Sequence, residues 1–185
     1  MGTVYVFFAD GFEEIEAVAP VDVLRRCGLE VKSVCIENNP DYLITGAHGI
    51  TVKTDLLADE ISFDDMEAVI LPGGMPGTKN LEASEDVRQV LKYCSDHDKL
   101  ICAICAAPSI LGHLGLLNGK KATCFPGFER ELHCGVFTGG SVTVDGNIIT
   151  ADGPGSAVKF GEAIASHFVG GEAARSVTEA MQLRF

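Results

Sequence analysis

Tryptophan is absent from the 185-residue sequence, and basic residues are few, with 14 lysines and arginines against 26 aspartates and glutamates. The formal net charge is therefore 14 minus 26, or −12. Nucleic acids and anionic membranes bind clustered basic side chains, and because the sequence has no such cluster we predict neither as a partner. No apolar run approaches the roughly 20 residues that a membrane-spanning helix needs.

A secretory signal, internal repeats and linker-like segments are also missing from the sequence. A length of 185 residues with 46% hydrophobic content is typical of one compact domain with a full core. We therefore predict a single domain over residues 1–185, located in the cytoplasm.

The cysteines are odd in number, which fits free thiols in a reducing compartment better than a disulfide framework. No set of cysteines and histidines has the spacing of a metal site, so no metal is predicted. Cys102 and Cys105 match a C-x-x-C motif, but Cys102 lies in a predicted strand and would point away from Cys105. The seven are Cys27, Cys35, Cys94, Cys102, Cys105, Cys124 and Cys134.

Short apolar runs alternate with amphipathic segments, which predicts a mostly parallel sheet covered by helices on both faces. The predicted strands are 3–8, 30–36, 68–71 and 100–103, with short strands at 121–124 and 135–138. Hairpins are predicted at 42–53 and 142–150, which are also candidate edges for pairing with another chain. Helices are predicted at 13–27, 85–97, 109–117, 153–169 and 172–182. In the first helix, we expect Ile15, Val18, Ala19, Val23, Leu24 and Cys27 to face the core.

Cys105 lies where an apolar strand gives way to a helix, and it is the candidate nucleophile. The small residues Ala106 and Ala107 permit the sharp turn that a nucleophile elbow requires. The N-terminus of the following helix would favour the thiolate form. The alternative is an inert core cysteine, which is the usual role of a free cysteine.

Glu16 is the candidate acid–base partner, because a half-buried carboxyl group beside a thiolate would remain protonated. Pro20 lacks the N–H that would bond the Glu16 carbonyl, so the helix should bend there. Glu13 and Glu14 are better explained as a solvated acidic first turn, which is also the alternative for Glu16.

The backbone N–H groups of Gly73, Gly74 and Ala106 could form an oxyanion hole, since glycines after a strand allow close approach to a ligand. An ordinary tight turn is the alternative for the two glycines. No histidine can be placed as a general base, and His113 should point away from the site.

Four ordered motifs together resemble the ThiJ/PfpI superfamily, in the branch that contains the protein deglycases. They are Phe12–Ala17 with Pro20–Val23, Leu71–Gly74, Ala103–Pro108 and Gly153–Ser156. The resemblance implies a flavodoxin-like three-layer α/β sandwich, with a nucleophile elbow, that forms a homodimer.

The resemblance also implies cofactor-free glyoxalase or deglycase chemistry on small reactive carbonyls or on glycated thiols and amines. Cys105 would be the nucleophile, Glu16 a protonated partner, and Gly74 and Ala106 the backbone donors. A redox-responsive regulator or chaperone, whose cysteine is oxidised to sulfinate, is the alternative. The expected pocket residues are Phe125, Pro126, Gly153, Pro154 and Gly155.

Phe125 marks a departure from the deglycase pattern, in which a histidine lies near the cysteine at this position. Turnover would then be slow or would depend on Glu16. The protease branch has histidine directly after the nucleophile, so Ala106 argues against peptidase activity. Cys124 is either a second functional thiol or a packed core residue.

Overall fold

The centre of the fold is a seven-stranded sheet, seen in a computed structural model that describes residues 2–183. Along the sheet the strand order is β10-β11-β7-β6-β1-β2-β5. Its strands are β1 (Thr3–Phe8), β2 (Glu30–Cys35), β5 (Leu56–Leu57), β6 (Met66–Leu71), β7 (Leu100–Ile104), β10 (Val142–Asp145) and β11 (Ile148–Ala151). All neighbours are parallel except the β10–β11 hairpin, which confirms the predicted mostly parallel sheet.

Helices cover both faces of this sheet. They are α1 (Glu14–Arg26), α2 (Gly77–Ala83), α3 (Glu85–Asp96), α4 (Pro108–His113), α5 (Ala157–Val169) and α6 (Gly171–Ala180). Buried side chains form two clusters, one with α2, α3 and α4 and the other with α1, α5 and α6. The strands divide their side chains between the clusters, because successive residues of a strand point to opposite faces. In β1, Tyr5 and Phe7 join the first cluster, while Val4, Val6 and Phe8 join the second.

The inner face of α1 is only partly the predicted one. Val23 and Leu24 are fully buried and Ala19 and Cys27 pack against the core, as predicted, but Ile15 and Val18 are 55% and 45% exposed. Pro20 and Val23 face α5, where a Cβ on Gly161 would lie 3.0 Å from Val23 and 3.2 Å from the Pro20 backbone. In the first turns, Glu14 and Glu16 are buried and the two apolar side chains lie outside.

Two small sheets complete the fold. The predicted hairpin at 42–53 is present as β3 (Leu43–Thr45) and β4 (Thr51–Lys53), but it forms its own sheet and is not an edge of the central one. A parallel pair joins β8 (Lys121–Ala122) to β9 (Val136–Phe137).

Helix α2 was missed by the sequence analysis, and α4 ends at His113, earlier than predicted. Helix α2 is short and directly follows a glycine-rich loop, and α4 ends in a segment that contains several glycines. None of the helices within residues 2–183 is long and apolar enough to cross a membrane.

Candidate active site

Three loops meet at the carboxyl ends of neighbouring parallel strands, where open α/β sheets bind ligands. They follow β1, β6 and β7, which are adjacent in the sheet. The loop after β1 leads into Glu16, the loop after β6 contains Gly73 and Gly74, and the loop after β7 contains Cys105.

Cys105 has a left-handed backbone, with φ of 65°, at the junction of β7 and the turn that leads into α4. This is the sharp turn expected of a nucleophile elbow. Its N–H donates to the Ala151 carbonyl at 2.9 Å, and its carbonyl accepts from the Phe125 N–H at 2.8 Å. These two bonds hold a conformation that is costly for a residue with a side chain. The thiol is half-buried.

The Glu16 carboxyl group is fully buried beside the thiol. Its Oε2 accepts the Gly73 N–H at 2.8 Å, and its Oε1 has no hydrogen bond of ordinary geometry with the described residues. Burial raises the pKa of Glu16 to about 7, against the lowering effects of Cys105 and the Gly73 amide. The nearby Glu13 adds a small upward contribution to this pKa. A buried carboxyl group that interacts with a neighbouring thiol fits a carboxylic acid whose proton is available for transfer.

Burial also raises the pKa of the Cys105 thiol, and the charge of ionised Glu16 raises it further. The N–H groups of Ala106 and Gly74 approach the sulfur and act in the opposite direction. The amides favour the thiolate, as predicted for a helix N-terminus, but burial and the charge of ionised Glu16 act against it. Once Glu16 is protonated its repulsion disappears, so the two side chains titrate as a coupled pair.

Two consecutive glycines shape the floor of the site. A Cβ on Gly73 would lie 2.7 Å from both the Cys105 Cβ and Glu16 Oε2. Gly74 has φ of 89°, and a Cβ there would lie 2.3 Å from the Glu13 nitrogen. Three backbone N–H groups, those of Gly73, Gly74 and Ala106, were predicted to form an oxyanion hole. The Gly73 N–H already donates to Glu16, so only the other two can take this role.

The predicted pocket residues are only partly brought together. Phe125 is hydrogen-bonded to the Cys105 carbonyl through its backbone, and its ring packs over Gly153, with Cδ2 lying 3.1 Å from a Cβ built there. Pro126 and Gly155 are exposed and Pro154 is half-buried, and no hydrogen bond described for them reaches Cys105 or Glu16.

Glu14 is buried, contrary to the expectation of a solvated first turn. Its carboxylate accepts from the backbone N–H and the ring of His48, both at 2.8 Å. Burial tends to raise the pKa of Glu14, but these bonds outweigh it and hold the pKa below its ordinary value. Sequence reasoning missed His48, because nothing local shows that the β3–β4 hairpin docks on α1.

Glu13, Glu14 and His48 each place one potential ligand atom within 4.8 Å of the others. Glu14 and His48 already bond to each other, and Glu13 caps α1 by accepting the Glu16 N–H at 2.8 Å. The contacts within the protein therefore account for this group.

His113 does not contact Cys105 but lies between two carboxylates. Its Nδ1 is 2.5 Å from Glu82 and its Nε2 is 2.9 Å from Glu131. Cys124 belongs to the core cluster on the opposite face of the sheet from the one that Cys105 contacts. Its position agrees with the packing role.

A family model described as "DJ-1/PfpI family" matches residues 2–167. The protein DJ-1 homolog B of Arabidopsis thaliana is 35% identical over 95% of this chain and 40% of its own length. The chain spans less than half of this relative and of a second Arabidopsis homologue. A Pyrococcus abyssi protein named a deglycase is 32% identical over 82% of this chain and 90% of its own length.

Among solved structures, the oxidised DJ-1 of Toxoplasma gondii is similar to this chain. It has a TM-score of 0.94 and 32% sequence identity, with 100% of each chain covered. The superposition therefore extends over the central sheet, its two helical layers and the loops that form the site.

Proposed function

The chain belongs to the DJ-1/PfpI family, and from this premise we propose that it is a cofactor-free enzyme acting on small reactive carbonyls through Cys105 and Glu16. The observation that carries the proposal is the buried Glu16 carboxyl group beside the half-buried thiol, with a Glu16 pKa of about 7. Relatives from three Pyrococcus species are named deglycases, which supports carbonyl compounds or glycated thiols and amines as substrates.

Near neutral pH the Glu16 carboxyl group is partly ionised, and Cys105 is a thiol because its pKa is raised. When ionised Glu16 takes the thiol proton, the sulfur becomes an anion beside the Gly74 and Ala106 amides. A pair whose proton can reside on either member supplies both a nucleophile and an acid without external groups.

In the first step, the Cys105 sulfur attacks the aldehyde carbon of an α-oxoaldehyde. A C–S bond forms, and the π electrons of the carbonyl move to its oxygen. The Gly74 and Ala106 amides stabilise the resulting charge, and Glu16 transfers its proton to the oxygen. The product is a neutral hemithioacetal and an ionised Glu16.

In the second step, ionised Glu16 removes the proton from the hemithioacetal carbon, which gives an enediolate, and returns a proton to the neighbouring carbon. The hydroxyl proton of the hemithioacetal moves to the oxygen of that neighbouring carbon. The first carbon is oxidised and the second is reduced, so no external oxidant is needed. The thioester that results is cleaved by water to a 2-hydroxy acid, which regenerates the thiol. Glu16 is the acid and the base in both steps.

The test is consumption of methylglyoxal with formation of lactate. We expect Cys105→Ser to reduce the rate to background, and Glu16→Gln to lower kcat by roughly 100-fold or more, because proton transfer is lost. Cys27→Ser is the matched control, since Cys27 is also half-buried but lies at the end of α1. Lactate formation by Cys105→Ser at the unmodified rate would contradict the mechanism.

A redox-responsive role is the second candidate, and the likeness to an oxidised DJ-1 structure favours it. The Cys105 thiolate would reduce two molecules of hydrogen peroxide to water and become a sulfinate. The Gly74 and Ala106 amides and the acid form of Glu16 would then donate to the sulfinate oxygens. Mass spectrometry after mild peroxide should find 32 Da added at Cys105, and equal oxidation of Cys27 would contradict this role.

We also propose a homodimer in which exposed Ile15 and Val18 of α1 are buried. An apolar pair on the outer face of a helix is a usual feature of an interface. Sedimentation should show a dimer that Val18→Asp converts to a monomer, whereas Val144→Asp on β10 leaves it intact. A cytoplasmic location is proposed as well, and the seven free cysteines support it.

A further inference from the structure

An exposed aromatic residue is bonded through its backbone to the proposed nucleophile. Phe125 is 42% exposed. Its N–H donates to the Cys105 carbonyl at 2.8 Å, while the Cys105 N–H donates to Ala151 at 2.9 Å. Cys105 is thus held between the chain segment of Phe125 and the segment that leads to Gly153.

The direction of the ring follows from its contact with Gly153. A Cβ built on Gly153 would lie 3.1 Å from Cδ2 and 3.6 Å from Cε2 of Phe125. Gly153 lies two residues after Ala151, the backbone partner of Cys105. The ring therefore covers a glycine at the same edge of the sheet as the thiol, and part of its surface remains exposed.

A second exposed apolar side chain belongs to the opposite loop. Met75 is 43% exposed and directly follows Gly74, whose N–H approaches the sulfur. The segments on both sides of Cys105 thus carry solvent-exposed apolar groups. Such surface binds an apolar substituent more strongly than it binds a methyl group.

We propose that Phe125 is a specificity residue that selects α-oxoaldehydes with an aromatic or large apolar substituent over methylglyoxal. This inference rests on the proposed carbonyl chemistry of Cys105. The substituent stacks on the exposed face of the Phe125 ring while the aldehyde carbon faces the sulfur. A ring–ring contact corresponds to roughly 2- to 10-fold in affinity, and it acts mainly on KM.

The experiment compares kcat/KM for phenylglyoxal and methylglyoxal. Each value is divided by the rate at which free 2-mercaptoethanol reacts with the same aldehyde, which removes intrinsic reactivity. We expect a normalised preference of roughly 2- to 10-fold for phenylglyoxal. Phe125→Ala should abolish it, mainly through KM for phenylglyoxal, whereas Phe125→Tyr should retain it because the ring is kept.

Phe137→Ala is the matched control, because Phe137 is 44% exposed on β9 and should leave the preference unchanged. Equal loss for both aldehydes in Phe125→Ala, or no preference in the unmodified protein, would overturn the inference. The proposed function would still stand if Cys105→Ser removed activity towards both aldehydes. Full activity of Cys105→Ser would instead refute the proposed function, and the inference with it.

Discussion

Replacing Glu16 with glutamine should make the protein more stable at alkaline pH. The carboxyl group is fully buried, and among residues 2–183 its only hydrogen bond of ordinary geometry is from the Gly73 N–H at 2.8 Å. A glutamine oxygen can accept the same bond without ever carrying a charge. The substitution therefore removes the cost of ionising a buried acid and keeps the local geometry.

The magnitude follows from the pKa of Glu16, which burial raises from 4.5 to about 7. Because the folded state binds this proton more tightly than the unfolded chain does, the stabilising contribution is complete below pH 4.5. It is lost as the pH rises to about 7. The difference of about 2.5 in pKa corresponds to about 3 kcal/mol. Glu16→Gln should match the unmodified protein near pH 4 and exceed it by about 3 kcal/mol at pH 8.5.

The assay is urea unfolding at fixed protein concentration across this pH range, followed by circular dichroism. Glu14→Gln is the control with the opposite sign, since bonds from His48 outweigh burial and lower the pKa of Glu14. That variant should lose stability at neutral pH and approach the unmodified protein as the pH falls through the Glu14 pKa. A constant difference between Glu16→Gln and the unmodified protein from pH 4 to 8.5 would refute a neutral, buried acid at this site.

Three further outcomes are expected. Gly74→Ala should destabilise the fold by roughly 1–3 kcal/mol in thermal unfolding, because φ of 89° and a Cβ 2.3 Å from the Glu13 nitrogen force strain; an unchanged Tm would argue against this geometry. His48→Ala should lower the Tm below pH 6.5, with the deficit fading as the pH rises through the His48 pKa, which its bond to Glu14 raises; a deficit that grows with pH would contradict the pairing. Iodoacetamide should alkylate Cys105 before the fully buried cysteines, and mass spectrometry that finds the reverse order would exclude an accessible thiol.

The sequence contained enough information for the sheet and for the sharp turn at Cys105, the candidate nucleophile. The continuous apolar run at residues 3–8 could only be a strand buried on both faces, and it is β1. The small residues after Cys105 indicated a sharp turn, which the structure has as a left-handed backbone. Both features are local, so they are visible in consecutive residues.

The first turns of α1 were not predictable in the same way. Apolar periodicity correctly placed Val23 and Leu24 inside, but it also placed Ile15 and Val18 there, where the structure buries Glu14 and Glu16. The His48–Glu14 contact depends on how the β3–β4 hairpin docks, which no neighbouring residue encodes. The occupation of the Gly73 amide by Glu16 likewise joins residues 57 positions apart. Each of these features depends on tertiary contacts, which the local sequence does not specify.

The left-handed backbone at Cys105 has a consequence for which substitutions this position can tolerate. Side chains branched at Cβ are excluded there by steric clash with the backbone. Glycine would relax the strain, so a Cys105→Gly variant should be more stable but would lack the thiol. The stability of the fold and the reactivity of the thiol are therefore opposed at this one residue. Under the proposed function, this position keeps a cysteine at a cost in stability that glycine would avoid.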